Sequence, residues 1–206
     1  MDEDTPLIGR RGSYPKGVAR RQEILDRAIE VFARRGAYGT SLRSIAQAIG
    51  ISHAALLHYF DSREQLLLAV YEHAELRRDA DPAAPEPGSA VDVMVAAATA
   101  NVKVPGLVEL YSTLVAAALD EGNRVGRTHF TERFDRVRRE LAEGLRAEQA
   151  EGRMRTDVDP EQVAALLVAA SDGLQIQWLL EPSIPLQETL GVLAALLRPP
   201  PRDESG

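Results

Sequence analysis

The stretch "GISHAALLHYFDSREQLL", residues 50–67, holds a glycine, a serine that opens a run of only eight residues, and a second serine that opens another helix. A helix of eight residues barely holds itself, because nucleation is costly. Its neighbours must therefore hold it, and its outer face is left for other use. Upstream, Leu42, Ile45, Ala46 and Ile49 recur at i, i+3, i+4 and i+7, which predicts a helix with one apolar stripe. Thr40 or Ser41 caps that helix, Gly50 ends it, and Ser52 caps a short helix over 53–60. Asp61 and Ser62 break the chain. Ser62 and Gln65 have capping-box spacing for a fourth helix that runs to about residue 77. Two helices joined by a tight glycine turn, the second short and exposed, make a helix-turn-helix.

Working outward, residues 19–35 place Ile24, Ala28, Val31 and Phe32 on one stripe, ended by Gly36 and Gly39. That stripe is the expected partner of Leu42, Ile45, Ala46, Ile49, Ile51, Ala55, Leu56 and Phe60. The leftover face of the short helix then carries His53, Ala54, Leu57 and His58, small and hydrogen-bonding groups suited to base edges in a major groove. Ser41, Arg43, Ser52, Tyr59 and Arg63 stand where phosphates are met, and free amides at helix N-termini add donors. Charge points the same way. Residues 10–63 carry ten Lys/Arg against four Asp/Glu, whereas the whole chain has a net charge of −7. A basic head on an acidic body suggests a local polyanion site, with scattered solvated charge as the alternative.

No cysteine is present, which excludes disulfides and thiolate chemistry. Residues 1–17 hold no apolar segment of the signal-peptide kind, and the longest apolar run, 163–170, is far short of the roughly 18 residues of a membrane span. A soluble, cytoplasmic protein without a membrane partner is expected. Helical spacing recurs almost everywhere and no alternating pattern persists, so the fold class is all-α. The Pro-rich, acidic "DADPAAPEPGS" at 79–89 reads as a linker. Helices are predicted beyond it at about 90–102, 107–120, 129–150, 161–180 and 186–197, the fourth with Asp159 as N-cap and Pro160 behind it. The segments predicted are a flexible arm (1–17), a helix-turn-helix head (18–78), a helical body (79–198) and a disordered tail (199–206).

The stretch "RRQEILDRAIEVFARRGAYGTSLRSIAQAIGISHAALLHYFDSREQLLLAVYEHA", residues 20–74, resembles the DNA-binding head of the TetR family of transcriptional regulators. "IAQAIGIS", "HYFDSREQLL" and the Phe32, Gly36, Thr40 spacing carry the likeness. "DPEQVAALLVAASDGLQIQWLLEP", residues 159–182, is similar to the penultimate helix of many members. The resemblance implies that Thr40 caps the first helix of the motif, that residues 53–59 form the recognition helix, and that Arg63 and Tyr59 take backbone-contacting positions. Two residues depart from the family pattern. His53 replaces the commonest lysine, and Leu57 replaces a tyrosine that usually meets a phosphate. Arg10, Arg11, Lys16, Arg20 and Arg21 offer compensating contacts, or belong to a plain disordered arm. The departures also leave open an alternative, a helical ligand-binding or adaptor protein that has lost specific DNA binding.

The resemblance further implies a double-stranded DNA operator, a homodimer and an unknown small-molecule effector. The 163–180 helix is apolar nearly all round, and Leu186, Leu190, Leu193 and Leu197 form a stripe. Together with Leu166, Leu167, Ala170 and Leu174 these are the expected interface of a four-helix seam between subunits. Met94, Asn101, Tyr111, Phe134, Gln175 and Trp178 are the ligand candidates, with ordinary core packing as the alternative for the large side chains. Asp172, Gln175 and Gln177 interrupt an apolar helix, either to bond across a seam or to meet a ligand. His53 and His58, five apart, point about 140° from each other and share no metal. There is no P-loop, no GxGxxG and no glycine-flanked serine elbow, so neither metal, cofactor nor catalytic centre is expected.

Overall fold

The computed structural model describes residues 14–35, 41–80 and 88–199, and among these it holds nine helices and no strand. They are α1 (Tyr14–Arg35), α2 (Leu42–Ile49), α3 (His53–Leu57), α4 (Arg63–Asp79), α5 (Ala90–Lys103), α6 (Leu107–Ala118), α7 (Arg124–Ala150), α8 (Pro160–Leu180) and α9 (Leu186–Leu196). α1 begins five residues earlier than its apolar stripe suggests. Residues 14–17, expected in the arm, are helical, because Pro15 falls in the first turn, where a missing N–H costs nothing. Residues 1–13, and with them Arg10 and Arg11, lie outside the described residues.

Local chemistry sets the boundaries of the motif. Ser41, not Thr40, caps α2, its hydroxyl accepting the Ser44 N–H at 3.1 Å; Thr40 lies outside the described residues. Gly50 stands in the left-handed region at φ 75°, and the Ile51 N–H returns to the Ala46 carbonyl at 3.0 Å. Only glycine takes that conformation freely. α3 is shorter than expected, five residues with His58 as its C-cap. Ser52 and Ser62 cap α3 and α4. Gln65 reaches back to the Asp61 N–H rather than to that of the cap residue itself.

The five-residue helix is held by burial on one side. Leu56 and Phe60 are buried with Ile45, Ala46 and Ile49 of α2 and Ile24, Leu25, Ala28 and Phe32 of α1. Arg27 donates to the Ile49 carbonyl at 2.9 Å, where α2 presents its negative end. The same core runs on without a break into the body. Leu66, Val70 and Tyr71 of α4 pack with Leu110, Tyr111 and Leu114 of α6 and Phe130 of α7. α4 therefore belongs to the head by sequence and to both halves by packing. α5 and α6 meet at 106° over Gly106, which sits at φ 77°. A second core joins α5, α7 and α8 around Met94, Leu145 and Leu167. α9 closes over α5, where Leu186 and Leu190 are buried with Ala98.

α8 is long and apolar enough by composition to span a membrane, more so than its longest unbroken run indicates. One side of it is built into the core. Val163, Ala164, Leu167 and Val168 are buried, and Ser171 and Gln175 are buried in hydrogen bonds. Three of the eight residues expected at the interface are covered within the subunit. Leu167, Leu186 and Leu190 are spent inside the subunit, and Ala170, Leu174, Leu193 and Leu197 are partly buried against the same cores. The stripe on α9 faces α5 because α5 is the nearest apolar surface. The large apolar side chains left exposed on these two helices are Leu166, Ile176, Leu180, Val192 and Leu196.

Candidate functional site

Among the described residues, the positions singled out in the sequence gather at two accessible places with polar chemistry. The first is the outer side of the α2–α3 motif. With Leu56 anchored inward, Ala54 and His58 fall about 160° away on the wheel. Ser52, His53, Ala54, Leu57 and His58 are all exposed, as are Ser41 and Arg43, while Tyr59 and Arg63 are half-buried. Leu57 is 41% exposed, unusual for a leucine on a helix whose other leucine is fully buried. The His58 and Tyr59 rings meet edge to face at 5.3 Å, so Tyr59 lies against the recognition edge rather than projecting freely from it. Arg21 lies over the Phe60 ring at 5.1 Å, tying α1 to the end of the motif. Small, polar and hydrogen-bonding groups on a helix fixed from behind make a surface able to enter a groove.

The second place is a cavity of about 720 Å³ enclosed by α4, α5, α7 and α8, with Tyr111 contributed by α6. Four of the six expected ligand residues, Met94, Asn101, Tyr111 and Gln175, line it. Phe134 and Trp178 do not. Phe134 packs between the two main cores, and Trp178 packs beside Leu174 in the cluster under α9. Asp172 and Gln175 both bond across a seam and face the cavity, so the two readings of them are not exclusive. Gln177 is exposed and belongs to neither.

The cavity wall is a connected polar network that sequence reasoning did not assemble. Glu75 of α4 accepts from Arg133 of α7 at 2.8 Å and from the Tyr71 hydroxyl at 2.7 Å. Arg78, one turn along α4, lies 3.8 Å from Glu75 and donates to the side-chain Oδ1 of Asn101 at 2.8 Å. Asn101 donates to Gln175 at 3.0 Å, and Gln175 donates to Ser171. Tyr111 donates to Asp172 at 2.9 Å. The Tyr71 and Tyr111 rings stack at 5.4 Å, and the Arg133 guanidinium lies over both, at 5.7 and 5.2 Å.

The two carboxylates differ in character. Burial works against the charged form of Glu75, yet the hydrogen bond and charge of Arg133, with help from Tyr71 and Arg78, hold its pKa below the ordinary carboxylate value. Asp172 has no such bonded cation among the described residues. Burial pushes its carboxyl above the ordinary value, only partly opposed by Tyr111 and by the more distant charge of Arg133. Burial likewise raises the Tyr71 and Tyr111 hydroxyls, which stay protonated donors. Glu75 and Arg78 give little signal in sequence, because an acid and a base one turn apart read as a solvated face.

Comparison with known proteins settles what kind of molecule carries these two sites. The model for bacterial regulatory proteins of the tetR family matches residues 24–70, and the model for the C-terminal part of BetI-type transcriptional repressors matches residues 113–198. The HTH-type transcriptional regulator BetI of Rhizobium meliloti is 31% identical over 172 residues, 77% of each chain. This chain belongs to the tetR family of bacterial regulatory proteins. It is a transcriptional regulator, and the α2–α3 motif lies within the matched head. The KstR2 repressor of Rhodococcus jostii is 48% identical over 48 residues, 23% of this chain and 24% of its own. Among solved structures, a regulator from Rhodococcus sp. assigned to the TetR family superposes with a TM-score of 0.72 at 22% identity, covering 87% of this chain and 98% of its own. A regulator from Saccharomonospora viridis crystallised with choline gives 0.69 at 24% identity, covering 86% and 96%. At these identities the structural likeness establishes the TetR fold.

Proposed function

We propose that this TetR-family protein is a ligand-responsive repressor that binds a palindromic operator as a homodimer and leaves it when a small molecule enters the cavity. The observation that carries the reading is α4, whose two ends serve the two sites. Its first residue, Arg63, stands beside the recognition edge, and Glu75 and Arg78 near its other end bond into the cavity wall. The separation from Arg63 to Arg78 is about 22 Å of stiff helix. A ligand that rearranges the Glu75–Arg133–Arg78–Asn101 network moves or releases the far end of the helix that positions the head. The ligand needs only a different affinity for the two head positions; a 100-fold weakening of DNA binding corresponds to about 2.7 kcal/mol.

The edge formed by His53, Ala54, Leu57 and His58 reads bases, while Ser41, Arg43, Ser52, Tyr59 and Arg63 meet phosphates, with Thr40 and the basic residues 10–21 adding to them. The exposed row on α8 and α9, Leu166, Ile176, Leu180, Val192 and Leu196, is the face that pairs with a second subunit, large apolar side chains being costly to leave in water. Two heads then meet half-sites one helical turn, or a multiple of it, apart. The choline bound by the S. viridis regulator supports a small organic effector for the cavity. The site of action is the cytoplasm, where the operator is. A gel shift with the DNA upstream of the protein's own gene tests the reading: specific retention supports it, and failure to retain that fragment or any genomic fragment at low salt refutes it.

A further inference from the structure

The cavity is lined by charges of both signs, and their bonding decides which ligand it can take. Arg133 is committed to Glu75 through Nε at 3.2 Å and Nη2 at 2.8 Å. Arg78 is committed to Asn101 and Glu75. An anionic ligand has to break one of these pairs to gain either arginine, and only Arg136 and Arg153 at the rim offer it another cation among the described residues. The aromatic faces of Tyr71 and Tyr111, which in an open arrangement suit a quaternary ammonium, are already covered by the Arg133 guanidinium. Asp172 differs from all of these. Its Oδ2 accepts the Tyr111 hydroxyl, and neither oxygen receives a hydrogen bond from a cationic group among the described residues. A half-buried carboxylate of this kind gains most from a charged N–H donor, because a charge-assisted hydrogen bond is strong and the lone carboxylate is otherwise costly.

The rest of the wall sets the ligand's shape. Val93, Met94, Ala97 and Ala100 of α5 face Val137 and Leu141 of α7 across the cavity. From Ala90 to Asn101 this wall is about 16 Å long. Arg136 and Glu140 at its exposed edge offer both signs and do not discriminate. Taking the cavity as the effector site of the preceding section, we propose that it binds an elongated organic monocation with at least one N–H on its charged nitrogen, a primary or secondary amine on an apolar tail, the nitrogen seated on Asp172 and the tail along the α5–α7 wall.

The test is isothermal titration of the full-length, DNA-free protein with decylamine, decyltrimethylammonium and decanoate, each below its aggregation concentration. Decylamine is expected to bind at least tenfold more tightly than either of the others. Asp172→Asn is expected to weaken decylamine about tenfold and to leave decyltrimethylammonium within about twofold. Equal or tighter binding of decyltrimethylammonium, tighter binding of decanoate, no binding of any of the three, or an amine affinity untouched by Asp172→Asn each overturns the proposal. The comparison of the three ligands uses the wild-type protein, so it does not depend on how the variant folds. DNA retention by the same ligand-free protein is read in parallel. Loss of the amine preference with DNA retention intact removes this inference alone, whereas absent DNA retention removes the regulator reading beneath it.

Discussion

Glu75→Gln separates the present account of the cavity from one in which its charges are incidental. The substitution keeps the shape of the side chain and removes its charge. In the native molecule that charge is met by two Arg133 nitrogens and the Tyr71 hydroxyl, and the Glu75 and Arg133 side chains are only 14% and 13% exposed. The neutral amide leaves the Arg133 guanidinium buried without its bonded counter-charge. Breaking one side of such a pair costs about 3–5 kcal/mol. At about 2–4 °C per kcal/mol for a chain of this size, the melting temperature falls by about 6–20 °C. Because the folded-state pKa of Glu75 lies below its unfolded value of about 4.3, its contribution is present above that pH and is lost as the pH falls through the lower, folded value. The gap between wild type and variant therefore closes in acid. Thermal melts between pH 7 and pH 3 give both quantities. A second removal, Arg133→Gln on top of Glu75→Gln, costs less than the sum of the single changes, since it deletes the stranded charge. A loss below about 3 °C at neutral pH, or a gap that widens in acid, refutes the reasoning.

The other carboxylate should behave oppositely. Its raised pKa means that Asp172 favours folding most when protonated, a contribution lost as pH rises through the folded value, so Asp172→Asn costs no more than about 1 kcal/mol at pH 7 by urea denaturation. A loss of about 3 kcal/mol, the cost of breaking a buried ion pair, contradicts this. Leu56→Ala, at a side chain with no exposure, costs about 2–5 kcal/mol and abolishes DNA binding through loss of the motif. Leu57→Ala, one position on, leaves stability within about 0.5 kcal/mol, and a large loss there contradicts its placement on the outer edge. The double change Leu180→Glu, Leu196→Glu puts charge on the exposed α8–α9 row and turns the proposed dimer into monomers by light scattering, with helical content kept; a dimer mass that survives the change places the interface elsewhere.

Much of the head is legible in the sequence because its punctuation is chemical. Ser41, Ser52 and Ser62 announce the helix starts, Gly50 the turn, and the i, i+3, i+4 spacing of Ile45 and Ile49 the buried side. α7 is harder to read. It begins at Arg124, five residues before the expected start, capped by Asn123. Gly126 in its first turn argues locally against a helix, yet a Cβ there meets the capping Asn123 amide at 2.7 Å, so the glycine makes room for the cap. Apart from Leu166, the exposed row on α8 and α9 escapes sequence reading because periodicity shows that an apolar stripe exists but not which neighbour covers it. Leu186 and Leu190 go to α5, and the less regular Leu166, Ile176, Leu180, Val192 and Leu196 remain outside. The cavity network is invisible for a related reason. Glu75, Arg78, Arg133 and Asp172 lie on three different helices, and only the packing of α4, α7 and α8 around α6 turns ordinary surface charges into a partly buried set.

The central claim is that the edge of α3 reads DNA, with α4 carrying its state to the cavity. The most direct measurement is selection from sheared genomic DNA by the purified protein, followed by sequencing of the retained fragments and titration of the leading one against salt. The account predicts an enriched two-fold symmetric motif with half-sites about one helical turn or a multiple apart, and an affinity that falls steeply with salt. Arg63→Ala weakens every fragment alike and lowers the salt slope by about one, while changes at His53 or His58 shift the motif itself. Retention without any shared motif, or a motif unmoved by both histidine changes, contradicts the account.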